Sequence, residues 1–196
     1  MYHIHTTFAF VLGVLPSGEK HHFITLFTRE FGMIRAKAQS VRVSDSKLRY
    51  SLQEYSYVEI SLVKGKEIWR ITNALPVYNL YFELKDKQNL FMAIARIFSL
   101  LKRLAPEEGC EALIFDDIET ICKNTQILEY TKKSIEILEW LFILRMLWFL
   151  GYVRKESFKN LCDDKIEWTN EYLESVYEHK DRAIYAINHA LNASHL

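Results

Sequence analysis

Residues 20–72 read KHHFITLFTREFGMIRAKAQSVRVSDSKLRYSLQEYSYVEISLVKGKEIWRIT. Two patterns coincide here. Apolar residues recur every second position, the period of a strand with one buried face, and positive charge runs along the other face. Between Arg29 and Arg49 there are six basic residues (Arg29, Arg35, Lys37, Arg42, Lys47, Arg49) against two acids, Glu30 and Asp45. Ile34, Ala36 and Ala38 share one face of a strand over 31–38, while Met33, Arg35 and Lys37 share the other, so the basic pair points away from a core. Val58, Ile60 and Leu62 alternate with Tyr57, Glu59 and Ser61. Lys64-Gly65 turns the chain into a strand where Trp69 and Ile71 oppose Arg70.

Upstream, Thr7 to Leu15 is β-branched and apolar, Pro16-Ser17-Gly18 supplies a turn, and His22 to Thr28 follows at hairpin distance. That makes five strands. Ser40 to Gln53 separates the third from the fourth. Within it Ser44, Asp45 or Ser46 is placed to cap a short helix through Leu48 and Leu52. Five short strands and an intervening helix predict a small closed barrel of the oligonucleotide-binding type.

Downstream of Tyr81 the period changes. Leu90, Ile94, Ile97, Leu101 and Leu104 form a helical stripe ending before Pro106, and Ile114 to Lys123 is a second helix. IEILEWLFILRMLWFL (135–150) is apolar almost all round, as expected of a central helix wrapped by others, with Gly151 as its stop. Helices at 155–161 and 171–192 complete a bundle. The fold class expected is α+β: a five-stranded barrel over 1–84, then an all-α domain over 85–196. With no Gly- or Pro-rich linker between them, the two are expected to be docked.

The chain is neutral as a whole, with 25 basic and 25 acidic residues, but the charge is segregated. Residues 1–84 hold 10 Lys and Arg against 7 Asp and Glu, a net +3; the rest hold 15 against 18, a net −3. A basic patch on one domain is the electrostatic footprint of nucleic-acid binding. Phosphate contacts are expected from Arg29, Arg35, Lys37, Arg42, Lys47, Arg49 and Arg70, with Tyr50, Tyr55 and Tyr57 close enough to stack on unpaired bases.

Other classes find less support. No basic n-region or small-residue cleavage site marks a secretory leader, and the apolar run 141–153 is interrupted by Arg145 and short of a membrane span; a soluble cytoplasmic protein is expected. Cys110, Cys122 and Cys162 lack metal or disulfide spacing and read as buried thiols. His3 and His5 share a strand face, and Asp116, Asp117 and Glu119 cluster at a helix start, where the helix dipole explains acids without a metal. No metal, cofactor or catalytic constellation is expected. Arg145, on so apolar a helix, has two readings. One is an ion pair with Glu139, Asp163 or Asp164. The other is capture of a partner peptide's terminal carboxylate beside a groove of Leu141, Leu144 and Trp148.

The residues Leu26-Phe27-Thr28-Arg29-Glu30-Phe31-Gly32-Met33-Ile34-Arg35-Ala36 resemble a known family, as do Gly18-Glu19 before them and Ser46-Lys47-Leu48-Arg49 with Leu52 and Tyr55 after. Leu62-Val63-Lys64-Gly65 before Trp69-Arg70, and Leu147-Trp148-Phe149-Leu150-Gly151-Tyr152 with Cys162 beyond, extend the match. The family is that of the recombination mediator RecO. The resemblance implies a barrel that binds single- and double-stranded DNA and anneals complementary strands. It also implies a helical domain that engages the C-terminal tail of the single-stranded-DNA-binding protein, and work with RecR to load RecA. This chain departs by having Ser40 where many members have Gly, and only Cys162 where many carry a four-cysteine zinc motif, so no zinc is expected. The alternative is a protein-interaction adaptor that binds no DNA. A third and weaker reading is a metal-dependent hydrolase built on Asp116, Asp117 and Glu119.

Overall fold

The computed structural model describes residues 3–17, 21–39, 47–66, 68–109, 112–162 and 165–193. The chain divides into two compact units, Met1–Glu83 with Leu104–Ala112, and Leu84–Arg103 with Leu113–Leu196.

The first unit is a closed barrel of β1 (Ile4–Ser17), β2 (His21–Thr28), β3 (Gly32–Gln39), β4 (Ser56–Lys64) and β5 (Trp69–Asn79), in the order β1-β2-β3-β5-β4. All pairings are antiparallel except β3 with β5, where Ala36–Ala38 run parallel to Trp69–Ile71 and close the barrel. Period-2 alternation decides what fills it. Ile24, Leu26, Ile34, Ala36, Ala38, Val58, Ile60 and Leu62 are all buried in one cluster, and full closure leaves no bare edge. The small residues Ala36 and Ala38 sit where β3 and β5 meet in parallel. The short helix α1 (Lys47–Ser51) and the turn after it bring Leu48 and Leu52 against the same core, as their spacing predicts; its proposed caps lie outside the described residues.

Two features of this unit differ from expectation. β5 continues to Asn79, through Pro76, instead of ending near Thr72. Proline lacks a ladder donor, and the strand accommodates it beside a register shift at Tyr57/Val58. The segment after Leu104 also returns to the barrel. Glu107 bridges Met33, and the Glu108 N–H donates to the Met33 carbonyl at 2.8 Å. The outward-facing Met33 is therefore buried.

The second unit contains most of α3 (Gln88–Leu104) and of α4 (Ala112–Ile127), with α5 (Lys132–Phe149) after them; a single turn, α2 (Leu80–Glu83), links β5 to α3. α5 starts at Thr131, whose hydroxyl accepts from the Ser134 N–H at 3.0 Å. It ends in a Schellman motif: the Tyr152 N–H reaches the Leu147 carbonyl at 2.8 Å, the Gly151 N–H reaches Trp148 at 3.1 Å, and Gly151 has φ 82°. Around α5 pack α6 (Lys159–Cys162), α7 (Asn170–Ser175) and α8 (Lys180–Ala193). The expected helix over 155–161 shrinks to one turn. The expected helix over 171–192 breaks at Val176, where a 3-10 turn, Tyr177–His179, intervenes. The Ser175 hydroxyl donates to the Tyr172 carbonyl at 2.7 Å, competing with the i→i−4 ladder at the break. Cys122 and Cys162 are buried, Cys110 lies outside the described residues, and among the described residues no helix is long and apolar enough to cross a membrane.

Candidate nucleic-acid interface

The outer face of β2, β3 and β5 brings cations together. Cross-strand register sets Phe23 opposite Lys37, and Lys37 beside Arg70 across the parallel seam. With strands about 4.8 Å apart, one aromatic and two cations form a row roughly 10 Å wide. Arg35, two residues along β3 and hence on the same face, lies diagonally across from Phe23 with its guanidinium 4.9 Å from the ring centroid. Arg35 and Arg70 are exposed and Lys37 is half-buried. Among the described residues none of the three makes an ion pair with a carboxylate. A row of fixed cations without counter-charges neutralises polyanions by releasing their counterions.

The hairpin between β2 and β3 adds Arg29. The Thr28 hydroxyl accepts from the Phe31 N–H at 3.0 Å and Gly32 takes φ 65°, the left-handed position that closes a three-residue hairpin. The Arg29 N–H is pinned to the Phe8 carbonyl at 3.1 Å and its side chain is exposed. Arg49 is exposed on α1. Arg42 and the side chain of Lys47 lie outside the described residues.

The tyrosines separate. Tyr57 is 3% exposed, packed against Phe8, Phe10 and Tyr78 at centroid distances of 5.5, 4.7 and 5.1 Å, so it cannot stack on a base. Tyr55 sits in the left-handed region at φ 68°, its N–H donating to Val11 and its carbonyl accepting from Leu80. It precedes Ser56, which pairs with Asn79 at the far end of β5, whereas Arg70 is at the near end. At about 3.3 Å per residue that is most of a strand length from the cationic row. Burial pushes its phenol up, with the Glu54 carboxylate adding to the rise. Tyr50 is exposed. The aromatic that does join the cations is Phe23. Its signal was available: in a strand with Ile24 and Leu26 inside, Phe23 must face out.

At the barrel's end Glu108 accepts from Lys64 Nζ at 2.7 Å and from Trp69 Nε1 at 3.0 Å. The Lys64 hydrogen bond, then that of Trp69, holds its carboxyl below the usual range. His5 packs edge-on against Phe31 and Trp69 at 5.3 and 5.7 Å, filling this end of the barrel, 6.5 Å from His3.

The peptide site expected on α5 is corrected. Leu141 and Leu144 are fully buried, Trp148 is 6% exposed and Arg145 1%. Among the described residues the carboxylate partner of Arg145 is not Glu139 but Asp117. Nε and Nη2 meet its two carboxylate oxygens at 2.7 and 3.2 Å, Nη1 donates to the Leu161 carbonyl at 2.7 Å, and Trp168 Nε1 reaches Asp117 at 3.2 Å. A guanidinium so enclosed has no free fork for a ligand. Burial raises the Asp117 carboxyl, while Arg145 and Trp168 pull it back. Glu139 pairs with Arg96 at 2.5 and 2.7 Å. Asp163 and Asp164 lie outside the described residues. The acids proposed for a hydrolase are spread among separate cations: Asp117 with Arg145, Asp116 with Lys165 and Glu119 with Lys123, the last two at 3.0 Å. Among the described residues no group of three His, Cys, Asp or Glu is placed to hold a metal ion.

The family model described as Recombination protein O N terminal matches residues 1–80, the barrel and its exit. A DNA repair protein RecO from Dehalococcoides mccartyi is 25% identical over 170 residues, 87% of this chain and 65% of the relative. One from Heliobacterium modesticaldum is 28% identical over 159 residues, 81% of this chain and 56% of the relative. The chain thus spans less than two thirds of the length of either. The residues matched by the family model are those of the five-stranded barrel, and over most of its length the chain is similar to RecO proteins.

Proposed function

We propose that the chain is a non-enzymatic DNA-binding protein of recombinational repair, whose barrel holds single-stranded DNA along the Phe23–Lys37–Arg70 row. The observation that carries this is the row itself, three strands wide, flanked by Arg35 and without acidic partners among the described residues. Similarity to relatives called DNA repair protein RecO supports the process. Binding of duplex DNA, annealing of complementary strands, partnership with RecR in loading RecA, and engagement of the single-stranded-DNA-binding protein's tail are proposed on the same similarity. The tail would need a site other than Arg145.

The test is a titration of labelled single-stranded DNA at several salt concentrations. With about four phosphate contacts from Arg35, Lys37, Arg70 and Arg49, the log–log slope should be about −3. A slope near zero, or no binding at low salt, overturns the reading.

A different surface favours the adaptor reading. On β1 and β5 the outward residues Phe8, Leu75 and Val77 are 38%, 53% and 53% exposed, with the exposed Glu59 of β4 in register between Phe8 and Leu75, an apolar surface around one charge that suits a protein partner. If that face alone is functional, charge-reversal of the cationic row leaves partner capture intact and DNA binding absent from the start.

A further inference from the structure

The second unit is neutral, with 15 Lys and Arg against 15 Asp and Glu, and one cleft in it is basic and aromatic. It holds about 410 Å³ between the segment after α5 and the exposed side of α8, within the size range of small-ligand sites. Two arginines, Arg154 and Arg182, and one histidine, His189, line it, with no carboxylate among the lining residues. Asp181 and Glu156, near the arginines in sequence, are not among the lining residues.

Arg182 is pre-positioned. It donates from Nη2 to the Ser157 carbonyl at 3.0 Å and lies 4.9 Å over the ring of Phe158, itself 3% exposed, so less side-chain freedom is lost when it takes up an anion. Tyr185, 73% exposed, and His189 stand three and seven residues on, along one face of α8, with ring centroids 6.4 Å apart and tilted by 32°. The cleft therefore offers a guanidinium from each wall, Arg154 from the segment after α5 and Arg182 from α8, and flat rings open to solvent along α8. A ligand with a phosphate at one end and a planar ring at the other satisfies both; a bare anion would leave the rings idle, and a bare aromatic would leave the arginines idle.

We propose that this cleft binds a nucleotide, its phosphate held by Arg154 and Arg182 and its base stacked on Tyr185 and His189. The same chemistry is offered by a free nucleoside monophosphate and by one nucleotide of an unpaired strand. The site is separate from the barrel row and goes beyond the role proposed for it.

Calorimetric titration of the whole chain with dTMP, thymidine and inorganic phosphate tests this, in a Lys37→Gln/Arg70→Gln background so that the barrel row does not contribute. dTMP should bind at least tenfold more tightly than thymidine or phosphate alone. Tyr185→Ala, a substitution at an exposed position that should leave the fold intact, should weaken dTMP about fivefold or more, and Arg154→Gln or Arg182→Gln more than that. Thymidine hexanucleotide that loses affinity with the same variants identifies a strand's nucleotide as the ligand; an effect confined to dTMP identifies the free nucleotide. The proposal is overturned if dTMP binds no better than its parts, if none of the three variants affects it, or if an acidic peptide displaces it at equal concentration, since the cleft would then be reading carboxylates. Because the barrel row is already disabled, failure here leaves the barrel's function untouched, and failure of the barrel leaves this result standing.

Discussion

Arginine meets opposite fates in the two halves of this chain. On β3 and β5 of the barrel, Arg35 and Arg70 follow a period of two, point outward, and meet other cations and an aromatic ring. On α5 of the helical unit, Arg145 is wholly enclosed and spends its donors on Asp117 and the Leu161 carbonyl. The first arrangement costs little to build and is available to a ligand. The second is unavailable to any ligand and is worth a great deal to the fold, because either charge alone in that interior would lack solvent and partner alike. The barrel's charges should therefore govern binding, and the bundle's buried pair should govern stability.

The sharpest way to break this comparison is Arg145→Ala. It strands the Asp117 carboxylate beside Trp168, and the loss should be about 3–5 kcal/mol, read as a lower denaturant midpoint for the helical signal in circular dichroism. Replacing both partners, Arg145→Met with Asp117→Leu, should recover most of it, because no charge is then buried. A single variant as stable as the parent would mean that the pair is not the clamp described here.

The barrel's side of the contrast is tested by Lys37→Gln with Arg70→Gln. Two lost phosphate contacts should flatten the salt slope by about 1.4 and weaken single-strand binding at least tenfold at low salt. Stability should move by no more than about 0.5 kcal/mol, as for most exposed substitutions. A variant that binds normally would put the DNA on another face, whereas one that unfolds would show that these cations serve the barrel after all.

What the sequence reveals follows the same divide. Strand alternation is local, so the inward set of Val58, Ile60 and Leu62 and the outward placement of Arg35 and Lys37 could be read directly. The stop at Gly151 was legible too, since it depends on one residue's backbone freedom. The partner of Arg145 was not, because Asp117 lies 28 residues away on a different helix and nothing in either sequence neighbourhood names the other. Tyr55 and Tyr57 lie near the basic run in sequence. Register decides where they end up, and it takes one to the far end of β5 and the other under Phe8 and Tyr78. That β5 runs on through Pro76 depends on the register shift at Tyr57/Val58, which no local pattern announces.

Gly151 separates backbone effects from charge effects on α5. Gly151→Ala adds a methyl that meets nothing within 4 Å, so its cost is the left-handed backbone alone, about 1–2 kcal/mol. Thermal melting should show that loss with single-strand affinity unchanged. A neutral result would mean that the helix end relaxes to another conformation.

The smallest effect concerns the barrel's own ion pair, the exposed counterpart of the buried one. Lys64 and Trp69 hold the Glu108 carboxyl below its ordinary value of 4.5. A carboxyl with a depressed folded-state pKa lends stability above its unfolded value and loses it as pH falls through the folded one. The contribution should thus be complete at neutral pH and fade only below about pH 4.5. Both side chains are about half exposed, so solvent screening limits it to less than about 0.5 kcal/mol. Melting curves of the parent and Glu108→Gln should differ slightly at pH 7, less in high salt, and converge in acid. Trp69, whose indole N–H donates to the same carboxylate, supplies a local signal: its fluorescence should titrate with that low pKa in the parent and not in the variant. Should the difference instead grow in acid, the carboxylate would be opposing the fold, and the segment that covers Met33 would be held by its backbone hydrogen bond alone.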